Sequence, residues 1–130
     1  MTTSVARRRP IFHSRRRALL VVDAIRWLHA TNRFIVDAAV VMPDHLHLAG
    51  SLNSNPLPRV MHSLKSYTSK QLASMGVSPP VWQRGYHDHA IRDEKDYAIR
   101  ISYLIDNPVR AGLVTRPDEY PYLILPDWWR

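Results

Sequence analysis

The 130-residue chain contains no cysteine. That excludes a disulfide-stapled scaffold, a thiol nucleophile and a cysteine-ligated zinc site. Its apolar stretches all break well short of the ~18–20 residues a bilayer span needs. The start lacks the charged, then apolar, then small-residue order of a secretory signal, so the expectation is a cytoplasmic protein with no membrane partner. Internal repeats and Gly/Ser linkers are also missing. The chain therefore reads as a single domain over residues 1–130, with a basic arm at 1–13 and a tail at 115–130. Acidic residues are scarce. Eleven Asp plus Glu face 18 Lys plus Arg, a formal net charge of +7. Such an excess favours a polyanionic partner, and most of it is arginine, whose planar fork suits phosphate oxygens. The plainer reading is a soluble basic protein.

Hydrophobic periodicity gives the order of elements. After the runs Arg7-Arg8-Arg9 and Arg15-Arg16-Arg17, Ser14 can cap a helix reaching about Thr31, with Leu20, Val21, Ala24, Trp27 and Leu28 on one stripe. Phe34 to Met42 is apolar and β-branched, and His45-Leu46-His47-Leu48 alternates strictly. Two strands joined at Pro43-Asp44 account for both, since proline belongs at the turn. A second helix runs from about Arg59 to Met75, with Val60, Leu64, Tyr67 and Leu72 inward and Lys65 and Lys70 outside that stripe. A proline- and aromatic-containing loop at 77–88 leads to a short strand at about His89 to Arg92. Asp93 then caps a third helix over about Glu94 to Asp106, which Pro108 ends. Its buried stripe is drawn through Tyr97, Ala98, Ile101, Leu104 and Ile105. The pattern predicts an α+β fold, an antiparallel sheet with helices on one face.

Three constellations carry chemistry. His45 and His47 are a strand step apart, so both imidazoles project from one face while Leu46 and Leu48 face the core. Two neutral imidazoles can share a divalent cation. A third ligand must come from elsewhere, and the open positions suit an ion that polarises a phosphoryl oxygen. The bland reading is two histidines on a polar sheet face. Second, Tyr103 and Asn107 stand four apart on the third helix, off the centre of its buried stripe. A tyrosine hydroxyl needs an adjacent cation or base to act as a nucleophile, and Asn107 offers an oxygen ligand. Half-buried packing is the alternative for Tyr103. Third, His87-Asp88-His89 is a rival metal pair. The loop before it places Trp82, Arg84 and Tyr86 where they either clamp bases of single-stranded nucleic acid or pack the loop.

These residues resemble a known family. Val40-Val41-Met42-Pro43-Asp44-His45-Leu46-His47-Leu48 resembles the His-hydrophobe-His motif of the REP-associated tyrosine transposases, in the single-tyrosine branch of the HUH nucleases. Met61-His62-Ser63-Leu64-Lys65-Ser66-Tyr67-Thr68 resembles their second helix, and Trp82 to Arg92 the segment that follows. Tyr103-Leu104-Ile105-Asp106-Asn107-Pro108-Val109-Arg110-Ala111-Gly112-Leu113-Val114 resembles their tyrosine-helix signature. The likeness covers about residues 9–122.

The resemblance implies a ferredoxin-like sheet with the histidine strand facing the tyrosine helix. It implies Mg²⁺ or Mn²⁺ on His45, His47 and Asn107. Tyr103 would attack a DNA phosphate and leave a 5′-phosphotyrosyl link and a free 3′-hydroxyl. The implied substrate is single-stranded or hairpin DNA, typically repetitive extragenic palindromes, which would put the protein at the nucleoid. It favours His45/His47 over His87/His89 as the metal pair. Lys65, Lys70, Trp82, Arg84, Tyr86, Arg92 and Arg110 are the candidate DNA contacts. The wider superfamily often dimerises, so monomer and homodimer both stay open. One departure stands out. Met1 to Ala6 is too short and polar for the apolar strand that usually opens these proteins, so the sheet is expected to lack it.

Three functions remain in play: a tyrosine-dependent nuclease and strand transferase, a decayed or domesticated copy that binds DNA hairpins without cutting, and an unrelated hydrolase that uses metal-bound water. The last needs more carboxylates or histidines than are placed for it, and it would not require the Tyr103 hydroxyl.

Overall fold

A computed structural model describes residues 1–129. The alternation at 34–48 becomes a hairpin of β2 (Phe34–Met42) and β3 (His45–Leu52), paired antiparallel. Gly50 stands opposite Val36, where the register shifts. A Cβ on Gly50 would lie 2.1 Å from the Ile35 carbonyl oxygen, so this close approach requires glycine.

The first residues correct the expectation of a missing strand. Thr2–Ser4 form β1, antiparallel to β3 with Thr2 opposite His47 and Ser4 opposite His45. The other edge of β1 is paired as well. Thr2 and His87 exchange two backbone bonds of 2.8 Å, and Gln83 N–H donates to the Ser4 carbonyl at 2.8 Å. Three residues suffice because both edges are satisfied and Thr3 and Val5 are buried, so no long apolar run is needed. The strand expected at His89 to Arg92 does not form. Pairing falls instead on isolated bridges at Trp82 and His87.

With α1 (Arg15–Ala30) and α2 (Leu57–Ser74), the chain runs β1-α1-β2-β3-α2 and returns beside β1 at 82–87. This is the ferredoxin-like plan. β4 (Leu123–Ile124) extends the other edge, on β2. No helix among the described residues is long and apolar enough to cross a membrane.

The helices divide between the two faces of the sheet. Ala39, Val41, Leu46 and Leu48 pack with Val21, Ile25 and Leu28 of α1 and Val60, Leu64 and Leu72 of α2. Ala38, Val40 and Met42 point the other way, against Ile101, Leu104 and Ile105 of α3 (Glu94–Ile105). The arrangement with all helices on one face therefore holds for α1 and α2 only. β2 is buried on both sides, which is why 38–42 is continuously apolar. Tyr120 supports the α3 side. Its hydroxyl donates to the Val41 carbonyl at 2.7 Å, and burial pushes its phenol up to about 12.

Some stripe positions also differ. Trp27 and Tyr67 are exposed, and Ile25 and Thr68 take the inward positions. Leu64, Thr68 and Leu72 follow at i, i+4, i+8, a straighter line down the helix than one through Tyr67. Ala98 is exposed on α3. Pro108 does not stop the helical path. Asp106 keeps helical dihedrals and α4 (Asn107–Arg110) follows, with Pro108 in its first turn, where a missing N–H costs little.

Candidate functional site

Register decides where the two histidines point. His45 and His47 alternate with the buried Leu46 and Leu48, and their partners across the hairpin are Met42 and Val40. Those two pack on α3, so both imidazoles project to the α3 face. Their ring centroids are 4.8 Å apart, edge to face. Each ring is held from behind. His45 Nδ1–H donates to Asp44 Oδ1 at 2.6 Å, and His47 Nδ1 lies 2.6 Å from Thr2 Oγ1. Arg8 Nε donates in turn to Asp44 Oδ2 at 2.9 Å. Neither Nε2 has a hydrogen-bond partner among the described residues. The Asp44 carboxylate can only accept, so it fixes the His45 tautomer with the lone pair on Nε2, while Thr2 Oγ1 orients the His47 ring.

Burial first, then the neighbouring His45, push the His47 imidazole down to about 4. It is neutral near pH 7, the form that can ligate a cation. Burial alone would raise the Asp44 carboxyl, but the bonds from His45 and Arg8 outweigh it and hold Asp44 below its ordinary value.

A cleft of about 690 Å³ opens on this face, with His47 and Tyr103 both in its lining, together with the 87–91 segment and Arg100. Tyr103 is 60% exposed, off the buried stripe of α3 as its spacing predicts. Asn107, one turn further, is half-buried at the start of α4. The Arg110 guanidinium lies over the Tyr103 ring, 3.7 Å from its centroid, and donates to the Tyr103 backbone carbonyl at 2.8 Å. A stacked cation at an exposed site contributes about 0.5–1 kcal/mol.

The second histidine motif is built differently. His87 to His89 lie outside any regular strand, so no ladder sets the directions of the two rings, although both residues line the cleft. His89 Nε2–H donates to Asp96 Oδ2 at 2.9 Å, and its Nδ1 accepts from Arg100 at 3.3 Å. Both ring nitrogens are committed. Asp96 also accepts from the Arg92 backbone at 3.1 Å. The His89 bond foremost, then the Arg92 backbone, bring its carboxyl to about 2. Among the described residues no three His, Cys, Asp or Glu side chains gather to hold a metal.

The candidate DNA contacts scatter. Trp82 is a correction. It is only 7% exposed, its indole N–H donates to Thr68 Oγ1 at 2.9 Å, and its ring packs on Phe12. No face is left for a base. Tyr86 is half-buried against the same core. Lys65 Nζ donates to the carbonyls of Gln83, at 3.0 Å, and Gly85, tying α2 to the loop, and burial lowers its pKa. Lys70, Arg84 and Arg92 are exposed, with Arg92 Nε 3.7 Å from Asp96. The sequence reading missed Arg8, Asp44 and Thr2. Asp44 was visible as the neighbour of His45. Thr2 carried no signal, because only the β1–β3 register brings it to His47.

The family model described as Transposase IS200 like matches residues 1–106. The chain belongs to the IS200-like transposase family. The matched range takes in His45, His47 and Tyr103 and ends just before Asn107. A REP-associated tyrosine transposase of Escherichia coli K12 is 30% identical over 91 residues, covering 68% of this chain and 53% of that protein. A Haemophilus influenzae protein provisionally given the same name is 32% identical over 98 residues, covering 65% and 55% respectively. This IS200-like chain thus spans about half the length of the curated relatives it matches. A solved structure of a REP-associated tyrosine transposase bound to a REP hairpin matches with a TM-score of 0.78 at 25% identity, covering 94% of this chain and 72% of that one.

Proposed function

We propose that this chain cuts and rejoins single-stranded or hairpin DNA with Mg²⁺ or Mn²⁺, through a 5′-phosphotyrosine on Tyr103. One observation carries the reading. His45 and His47 present free Nε2 edges on the sheet face where Tyr103 stands exposed, and His47 and Tyr103 line one cleft. Membership of the IS200-like family and the likeness to a hairpin-bound relative support the substrate class.

The donor set fits such an ion. Two imidazoles, with His47 held neutral by burial, and the Asn107 amide oxygen would supply three donors and leave positions for water and phosphate. Oxygen-rich, open coordination suits a hard cation such as Mg²⁺ or Mn²⁺. When bound, the ion polarises a phosphoryl oxygen. The remaining work belongs to the chain. Asp44 and Thr2 keep the imidazoles in register. The Tyr103 hydroxyl oxygen attacks phosphorus, and its proton passes through water to the departing 3′-oxygen. A P–O bond to tyrosine forms, the P–O3′ bond breaks, and the 3′-oxygen departs as a hydroxyl. The covalent link keeps the bond energy, so attack by a 3′-hydroxyl reseals a strand without ATP. Lys70, Arg84 and Arg92 are exposed and remain the proposed phosphate contacts, which would make binding fall with salt.

The test is a denaturing gel of wild type and Tyr103→Phe with Mn²⁺ and hairpin DNA from the flanks of the gene. A covalent adduct is expected only with wild type and metal. Salt-sensitive binding without any adduct would turn the reading to a hairpin-binding module that does not cut. An adduct on Tyr103→Phe would remove Tyr103 from the reaction.

A further inference from the structure

The sequence pattern marks Arg110 as one more DNA contact, yet its guanidinium is already occupied. One face covers the Tyr103 ring at 3.7 Å, and one N–H reaches the Tyr103 backbone carbonyl at 2.8 Å. Both contacts fall on the same residue, one on its side chain and one on its backbone. Together they fix how the ring sits relative to its own helix. We propose that Arg110 is a positioning residue that holds Tyr103 in its attacking orientation, rather than a phosphate contact. The inference rests on the reading of Tyr103 as the nucleophile.

The local fold explains how the clamp arises. Tyr103 is 60% exposed near the end of α3, so little else restrains its ring. The path continues through Asp106 into α4, which puts Arg110 seven residues on, two turns away on the same side. Helical side chains lean toward the N-terminus, so Arg110 leans back over Tyr103. The last carbonyls of a helix lack intrahelical donors and often take one from a nearby arginine. The planar guanidinium stacks on an aromatic face where a lysine ammonium offers only a point charge. A freely rotating tyrosine would reach phosphorus in the right geometry only rarely, and misplacement of about 1 Å can slow a reaction about 100-fold.

The experiment compares wild type, Arg110→Ala and Arg110→Lys in single-turnover adduct formation with Mn²⁺ and hairpin DNA. The same proteins are measured for hairpin affinity across a salt series, and the Tyr103 ring is followed by NMR. Both variants are expected to form adduct about 100-fold more slowly, with hairpin affinity and salt slope unchanged. The Tyr103 ring signals should move toward rotamer-averaged values. Lysine should fail to rescue despite keeping the charge. Unchanged adduct rates would overturn the proposal. So would a rate loss that tracks weaker binding and a salt slope smaller by about one, the mark of a phosphate contact. If wild type gives no adduct, the nuclease reading falls. The clamp is then decided by the ring signals alone, and identical Tyr103 spectra in all three proteins would overturn it.

Discussion

The chain carries the same short pattern twice, and the two copies end in different states. In His45-Leu46-His47 the pattern lies on a paired strand. Its middle residue is buried, both rings face α3, and each Nδ1 is held while Nε2 stays open. In His87-Asp88-His89 the pattern lies in an irregular segment. Its middle residue is exposed, and both nitrogens of His89 are taken by Asp96 and Arg100. The first copy leaves both Nε2 edges open. The second ties its segment to α3 through His89. A two-residue spacing guarantees a shared face only where a ladder enforces it, and a histidine is free to ligate only where a ring nitrogen is left open.

The comparison is broken most severely at the rings. His45→Ala or His47→Ala should abolish metal-dependent adduct formation on a denaturing gel, whereas His87→Ala should leave it intact. Next come the middle residues. Leu46 is fully buried, so Leu46→Ala should lower unfolding stability by about 2–5 kcal/mol. Asp88→Ala should stay within about 0.5 kcal/mol. Paired urea melts measure both. The supports behind the rings follow. Thr2→Val leaves His47 Nδ1 without its partner, and Mn²⁺ affinity should drop about 10–100-fold in a titration of the free-ion electron paramagnetic resonance signal. The last test is one of pH and falls on Asp96, the partner of His89. The Asp96 carboxyl lies at about 2, below its ordinary 3.8. A carboxyl depressed by folding stabilises fully above its unfolded value and loses that stabilisation as pH falls through its folded value. Melting temperature should therefore decline between about pH 4 and about pH 2, and Asp96→Asn should flatten that decline.

Much of the site is legible in the sequence because it depends on local periodicity. Strict alternation at 45–48 puts the imidazoles opposite Leu46 and Leu48, and helical spacing leaves Tyr103 off the buried stripe. What stays hidden depends on contacts between distant segments. Trp82 reads as a stacking platform until Thr68, 14 residues earlier, takes its indole N–H. Thr2–Ser4 looks too polar for a strand until β3 on one side and the 82–87 segment on the other saturate its backbone. The unbroken apolar run at 38–42 does announce burial on both faces of β2, although it does not say that α3 supplies the second cover. Arg110 stands among the candidate DNA contacts because Pro108 reads as the end of the helix, and only the continuation into α4 brings its guanidinium over the Tyr103 ring.

The central claim is that the strand-borne histidine pair, and not the loop-borne one, holds the divalent ion. It is tested most directly by titrating Mn²⁺ into three proteins while following the free-ion electron paramagnetic resonance signal. These are wild type, the His45→Ala and His47→Ala double variant, and the His87→Ala and His89→Ala double variant. The account predicts that the first double variant loses Mn²⁺ binding and the second binds like wild type. Binding that survives loss of His45 and His47 but disappears with His87 and His89 would contradict it.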